Sequence, residues 1–287
     1  MKKILMTIVL VMICLMLVSI VMFVQIMHRR VYNSMHVEEW ADSCGQIHRD
    51  LSYGKSERHK YDLFVPSNVQ WCADSTASLI LFVHGGGWIG GDKEDIEYMC
   101  QRYAKQGYLT ATMNYTLLNP EQPQFIILDM VEEMRQCITA ICTQACSGGY
   151  PLGRMAVGGY SAGGGLAMLY ACTQHDKSPL PVAFAIIEAG AVDLNSIFPE
   201  EKGGKADTLR MCSAITYIDS LSPPAIFAYG AEDLSIRAEK MVEQYEKLGI
   251  PYTFISYPNS GHEMGGDHDC AVRFNQTITD YAQRYFK

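Results

Sequence analysis

The sequence predicts an α/β architecture: a mostly parallel central sheet with helices on both faces, preceded by a single N-terminal transmembrane helix. Three observations carry this expectation. Short apolar or alternating runs recur between stretches of helical spacing, the pattern of parallel strands joined by crossover helices. Two glycine-rich motifs, His84-Gly85-Gly86-Gly87-Trp88 and Gly159-Tyr160-Ser161-Ala162-Gly163, each end one of the strand-like runs. An open parallel sheet binds its ligands at those strand ends. The third observation is an almost uninterrupted apolar stretch at residues 4–27.

That stretch, Ile4 to Met27, is broken only by Thr7, Cys14, Ser19 and Gln25. A helix of this length crosses a hydrocarbon core of about 30 Å with some tilt. A cleaved signal would have a shorter apolar region of about 7–15 residues and small residues at its end. Here the run ends Val24-Gln25-Ile26-Met27-His28-Arg29-Arg30. The expectation is an uncleaved anchor in residues 1–30 and single-pass membrane attachment through residues 4–27. Lys2 and Lys3 against Arg29 and Arg30 give a thin margin for a catalytic domain on the extracytoplasmic side. Residues 31–50 read as a polar connector, and residues 51–287 as the catalytic domain.

Within that domain, Tyr61 to Pro66 alternates like a strand and stops at a proline. Ser78 to Val83 is a continuous apolar run, as expected of a strand buried on both faces. Residues 93–107 read as a helix, and Leu109 to Tyr115 as the next strand. From Ile127 the apolar positions 127, 131, 134, 138 and 141 have helical spacing, and Gly148-Gly149 ends that helix. Met155-Ala156-Val157 leads into the second glycine motif, with a helix after it to about residue 173. Val182 to Ile187 and Ala225 to Tyr229 are strand runs. Met241 to Leu248 is helical, Tyr252 to Tyr257 alternates, and residues 270–285 form the last helix. The stretch from Asp193 to Leu221 has room for at most a small lid.

Composition narrows the function classes. The 287 residues are 48% hydrophobic and 19% charged, a foldable globular composition. Beyond Arg30 lie all 31 acidic side chains and 19 of the 23 basic ones, a net charge of −12. That balance disfavours nucleic acid as a partner. Leaving out Cys14, nine of the ten cysteines remain, with no spacing that makes a metal site, so they read as mostly free, buried thiols. No place for a metal or organic cofactor is visible, and the oligomeric state is open.

The motifs carry chemistry. A serine hydroxyl is a poor nucleophile until a base takes its proton. Ser161 lies on a sharp strand-to-helix turn, where Gly159 and Gly163 remove side chains that would collide. The base should follow late in the chain on a loop after the last strand, which selects His262 over His175 and His268. The orienting acid should follow the preceding strand. In Gly230-Ala231-Glu232-Asp233 that is Asp233, with Glu232 read as solvated and Asp193 as an outside candidate. Backbone N–H groups of Gly86, Gly87 and Ala162 can form an oxyanion hole. His84 more readily braces that loop than reacts. Trp88 and Tyr160 are candidates to line the substrate pocket, with a packing role open for Trp88.

At these residues the chain resembles the α/β-hydrolase superfamily, and within it the esterase branch with an HGGGW loop: carboxylesterases, hormone-sensitive-lipase-like enzymes and small feruloyl or acetyl esterases. The resemblance covers about residues 50–287. It implies Ser161 as nucleophile, Asp233 as acid and His262 as base of an ester hydrolase, and the shallow, open site expected under so small a lid suits soluble or short-chain esters better than triglycerides. One departure is visible: many relatives carry Tyr-Arg after the fourth strand, and this chain has Asn114-Tyr115-Thr116. Local bracing of the oxyanion loop is the point this leaves open. A serine peptidase or amidase on the same fold is the alternative, followed by a membrane-tethered, non-catalytic binding protein.

Overall fold

The computed structural model describes residues 40–119, 121, 124, 126–233, 236 and 238–287. Eight strands form one sheet in the order β1-β2-β4-β3-β5-β6-β7-β8. They are β1 Gly45–Ser52, β2 Lys60–Pro66, β3 Ala77–Val83, β4 Leu109–Met113, β5 Leu152–Tyr160, β6 Val182–Glu188, β7 Ala225–Gly230 and β8 Tyr252–Tyr257. β2 runs antiparallel to both β1 and β4, and every pairing from β4 through β8 is parallel. Seven of these strands coincide with the predicted runs. β1 does not: it lies where the sequence reads as the end of a polar connector. It is an edge strand that alternates only loosely between half-buried and exposed positions, and its register slips between His48 and Leu51.

The helices are α1 Glu97–Ala104, α2 Ile127–Ser147, α3 Ala162–Thr173, α4 Leu194–Ile197, α5 Gly204–Met211, α6 Glu239–Leu248 and α7 His268–Tyr285. The period-two alternation of β3 shows how the layers are built. Leu79, Leu81 and Val83 join a core with α2, α3 and α6, whereas Ile80 and Phe82 join a second core with α1 and α7. A strand covered on both sides is a near-continuous apolar run, and all seven residues of β3 are buried, with Ser78 the one polar side chain among them. The predicted helix over 93–107 is a 3-10 turn, Lys93–Ile96, followed by α1. Of the stretch expected as a small lid, the 3-10 turn Ala214–Tyr217 packs on α3, with Ala214 buried.

The membrane expectation is corrected. Among the described residues no helix is long and apolar enough to cross a membrane. The two longest, α2 and α7, carry Asp129, Glu132, Glu133 and Arg135, and Asp269, Arg273, Asp280 and Arg284. Their apolar stripes are spent on the sheet, which is what amphipathic helices of a layered domain do. Residues 4–27, to which the expectation pointed, lie outside the described residues. The fold class of the described residues is therefore the layered α/β sheet, with no helix among them long and apolar enough to span a membrane, and the single-pass, extracytoplasmic placement is withdrawn.

Candidate active site

β5 passes into α3 through one residue, Ser161, held at φ 55° and ψ −120°. A non-glycine residue avoids this region unless its surroundings enforce it. Here Ser161 N–H donates to the carbonyl of Glu188 at the end of β6 (2.9 Å), and its own carbonyl accepts from Gly165 N–H (3.0 Å). The turn is possible only because its neighbours lack side chains. A Cβ on Gly163 would sit 2.1 Å from the carbonyl oxygen of Val83, and one on Gly159 would sit 2.5 Å from the backbone of Gly163. The result is a serine at the C-terminal edge of the central strands and at the first turn of a helix.

His262 and Asp233 arrive from the loops after β8 and β7. These loops are tied to each other by Glu232 N–H to Ser260 O (3.0 Å) and Ala231 N–H to Tyr257 O (2.9 Å). The histidine loop is organised by Asp267, which accepts from Asn259 N–H (2.9 Å) and from the hydroxyl of buried Ser260 (2.9 Å). The imidazole then bridges the other two groups: Nδ1 lies 2.8 Å from Asp233 Oδ2, and Nε2 lies 2.8 Å from Ser161 Oγ. A carboxylate only accepts, so Nδ1 carries the proton and Nε2 offers its lone pair to the serine hydroxyl. The Asp233 side chain is 3% exposed and that of His262 37%, so the carboxylate is shielded and the imidazole is the more open of the two. Glu232 is exposed, as expected.

The rival residues are engaged elsewhere. Asp193 caps α4 and pairs with Lys240 (3.2 Å), and His175 faces Asp219 (3.8 Å). Asn114, in the Asn114-Tyr115-Thr116 departure, is buried, with its side-chain amide donating to Asp92 (2.8 Å). All nine cysteines among the described residues are free thiols, and burial pushes those of Cys100 and Cys137 well above their ordinary value. No cluster of three His, Cys, Asp or Glu side chains suited to a metal occurs among the described residues.

The glycine loop after β3 stands opposite this turn. Gly86, Gly87 and Trp88 have successive positive φ values of 115°, 61° and 63°. The space at Gly87 is open, since a Cβ there would meet nothing within 4 Å. Ala162 is the first residue of α3, so its N–H has no acceptor within the helix. Trp88 is buried in the apolar core, so its bulk packs the loop from beneath. The Tyr160 hydroxyl donates to the main-chain carbonyl of His262 (2.7 Å), which gives it a part in holding the histidine loop.

His84 is fully buried, with Nδ1 at 2.7 Å from the carbonyl of Gly85. Its Nε2 lies 3.4 Å from Nη2 of Arg58, which can only donate, so the ring is neutral with the proton on Nδ1. Burial holds His84 below the ordinary histidine value, and the Arg58 charge acts in the same direction. Sequence reading missed two groups here. Arg58 lies on a polar turn whose spacing signals nothing. Glu188 is buried at the end of β6, beside Tyr160 in register, and desolvation pushes its carboxyl up to about 7.

Chemically, the site offers a hydroxyl whose proton has an acceptor, a buried carboxylate behind that acceptor, and main-chain donors nearby. Comparison with known proteins places it. The family model described as BD-FAE matches residues 61–248. Isoprenylcysteine alpha-carbonyl methylesterase of Arabidopsis thaliana is 27% identical over 76% of this chain and 56% of its own length. A protein named as a probable isoprenylcysteine alpha-carbonyl methylesterase of Oryza sativa subsp. japonica is 34% identical over 45% of this chain and 28% of its own. The chain thus spans about half or less of these relatives. A truncated carbohydrate esterase from gut microbiota shares the fold, with a TM-score of 0.72 at 15% identity over 86% of this chain and 99% of that one. With the family model covering the elbow, the glycine loop and Asp233, the chain belongs to the BD-FAE family of α/β-hydrolases.

Proposed function

We propose that the chain is a serine hydrolase that cleaves carboxylic esters, with Ser161 as nucleophile, His262 as general base and acid, and Asp233 as the orienting carboxylate. The observation that carries this reading is the unbroken contact from Ser161 Oγ through the imidazole to Asp233, both links 2.8 Å. His262 Nε2 takes the serine proton as Oγ attacks the ester carbonyl, and Asp233 stabilises the imidazolium without taking its proton. The tetrahedral oxyanion is met by N–H groups of Ala162, Gly86 and Gly87. Collapse breaks the ester C–O bond, and Nε2–H protonates the departing alcohol. Water then attacks the acyl-serine, giving its proton to His262, and release of the acid regenerates the hydroxyl.

The substrates we favour are small or short-chain esters. Support comes from the relatives named as methylesterases and from the shared fold with a carbohydrate esterase. Hydrolysis of p-nitrophenyl acetate by the full chain tests the reaction class. Ser161→Ala is expected to lose about 10⁴-fold or more in kcat, since the other groups cannot replace a nucleophile. If the wild type is no faster than this variant, the reading is wrong.

A further inference from the structure

The oxyanion loop is a strained object that needs an outside hold. Three consecutive residues have positive φ, and Trp88 is not a glycine, so it has no intrinsic preference for that conformation. The loop's own bonds are few: Ile89 N–H and Gly90 N–H both reach Gly86 O, at 3.2 and 3.1 Å. Its two ends touch, since a Cβ on Gly91 would lie 2.3 Å from Gly85 O and 2.5 Å from His84 Nδ1. Whatever fixes that junction sets the direction of the N–H groups between its ends.

We propose that Arg58 is a positioning residue for the oxyanion hole, its guanidinium clamping the entry and exit of the 84–91 loop to the end of β4. Nη2 lies 3.4 Å from His84 Nε2 at the entry and donates to Gly91 O at the exit (3.0 Å). Nε donates to Tyr115 O (2.9 Å). Tyr115 closes the same strut from beneath. Its ring stacks on His84, with centroids 4.4 Å apart and planes at 11°, and its hydroxyl donates to His84 O (3.2 Å). One planar cation thus meets three separate points of backbone and ring in directions that an ammonium group could not span. The neutral His84 ring can accept from Arg58 only because its own proton points to Gly85. Arg58 touches neither Ser161 nor His262, so its influence on the reaction passes through the loop.

The inference rests on the ester-hydrolase reading, and its test separates the two. Full-length wild type, Arg58→Ala and Arg58→Lys are assayed on p-nitrophenyl acetate, alongside affinity for an aryl trifluoromethyl ketone, which forms a tetrahedral oxyanion on a reactive serine. For Arg58→Ala, kcat is expected to fall about 10- to 100-fold with KM held within about 3-fold, less than the loss of an oxyanion donor itself. Ketone affinity should fall in parallel with kcat. Guanidinium chloride at non-denaturing concentration should restore part of the activity to Arg58→Ala but not to Arg58→Lys. Should Arg58→Ala not fold, Arg58→Lys carries the test through the same parallel losses of kcat and ketone affinity. Wild-type kcat in either variant, or a loss of kcat without loss of ketone affinity, overturns the proposal. A wild type without turnover overturns the ester reading and this inference together.

Discussion

Glu188 is a carboxyl buried at the mouth of the sheet, and its ionisation is coupled to the folding of the whole chain. Its ordinary value of 4.5 is pushed up to about 7 by burial. Between those two pH values the folded chain holds a proton that the unfolded chain has released, so stability falls as pH rises through that window. The size of the effect is on the order of 3 kcal/mol. Glu188→Gln removes the titration, so the variant should gain stability relative to wild type as pH rises from about 4.5 to 7. Urea unfolding of both proteins at pH 5 and pH 8 measures this, and a difference that does not change with pH contradicts it. Asp233 makes the opposite demand, a charge kept close to His262. Asp233→Asn preserves its shape but can donate to Nδ1, which favours the wrong tautomer. A fall of about 10⁴ in kcat with little change in melting temperature is the expected result. Asp233 and His262 were legible because chain order and strand ends select them. Glu188 was not, because a glutamate at the end of an apolar run looks like any residue returning to solvent.

At the scale of elements, the elbow between β5 and α3 is the point where local sterics decide the structure. Its glycines face backbone rather than side chains, so nothing can move aside. Gly163→Ala would press a methyl against Val83 O, 2.1 Å away, and against His84 O, 2.4 Å away. The expected cost is about 2–4 kcal/mol, with loss of esterase activity, because the carbonyls it displaces begin the glycine loop in which we propose the oxyanion hole lies. Thermal melting and p-nitrophenyl acetate hydrolysis check this together, and an active variant of unchanged melting temperature refutes it. Because such sterics are local, the elbow could be read directly from Gly159, Ser161 and Gly163. Edge strand β1 lacked that signal: its positions alternate poorly, and Asp50, at φ 53°, interrupts it. Arg58 was hidden for a related reason. It lies 26 residues before His84 and 33 before Gly91, so only the closed sheet brings it to the loop.

Across the whole molecule, the antiparallel edge is joined to the 3-10 turn that precedes α1 by a charge network with a buried centre. Lys93 and Asp62 are both buried, with Nζ at 3.1 Å from Asp62 Oδ2 and 3.0 Å from Asp50 Oδ1. Arg49 adds a contact to Asp62 (3.3 Å) and another to Glu97 (2.7 Å). Lys93→Met leaves the Asp62 carboxylate buried with the half-exposed Arg49 cation and the Asp50 N–H (2.8 Å) as partners, at an expected cost of about 3 kcal/mol. Asp62→Asn in the same background should recover part of that loss, as read by urea unfolding, and no recovery would mean that the charge is not the cause. The layered architecture was legible from the alternation of runs. The apolar stretch at residues 4–27 showed only what a hydropathy pattern permits, and the helices described in the structure spend their apolar faces on the sheet. Loops from separate strands converge on Ser161, and in the proposed reaction this convergence makes it a nucleophile. The most direct measurement of this is peptide-level mass spectrometry after treating the full-length protein with a fluorophosphonate. The expected result is one adduct, on Ser161, greatly slowed in His262→Ala and absent in Ser161→Ala. An unlabelled Ser161 in wild type, or equal labelling in His262→Ala, would contradict it.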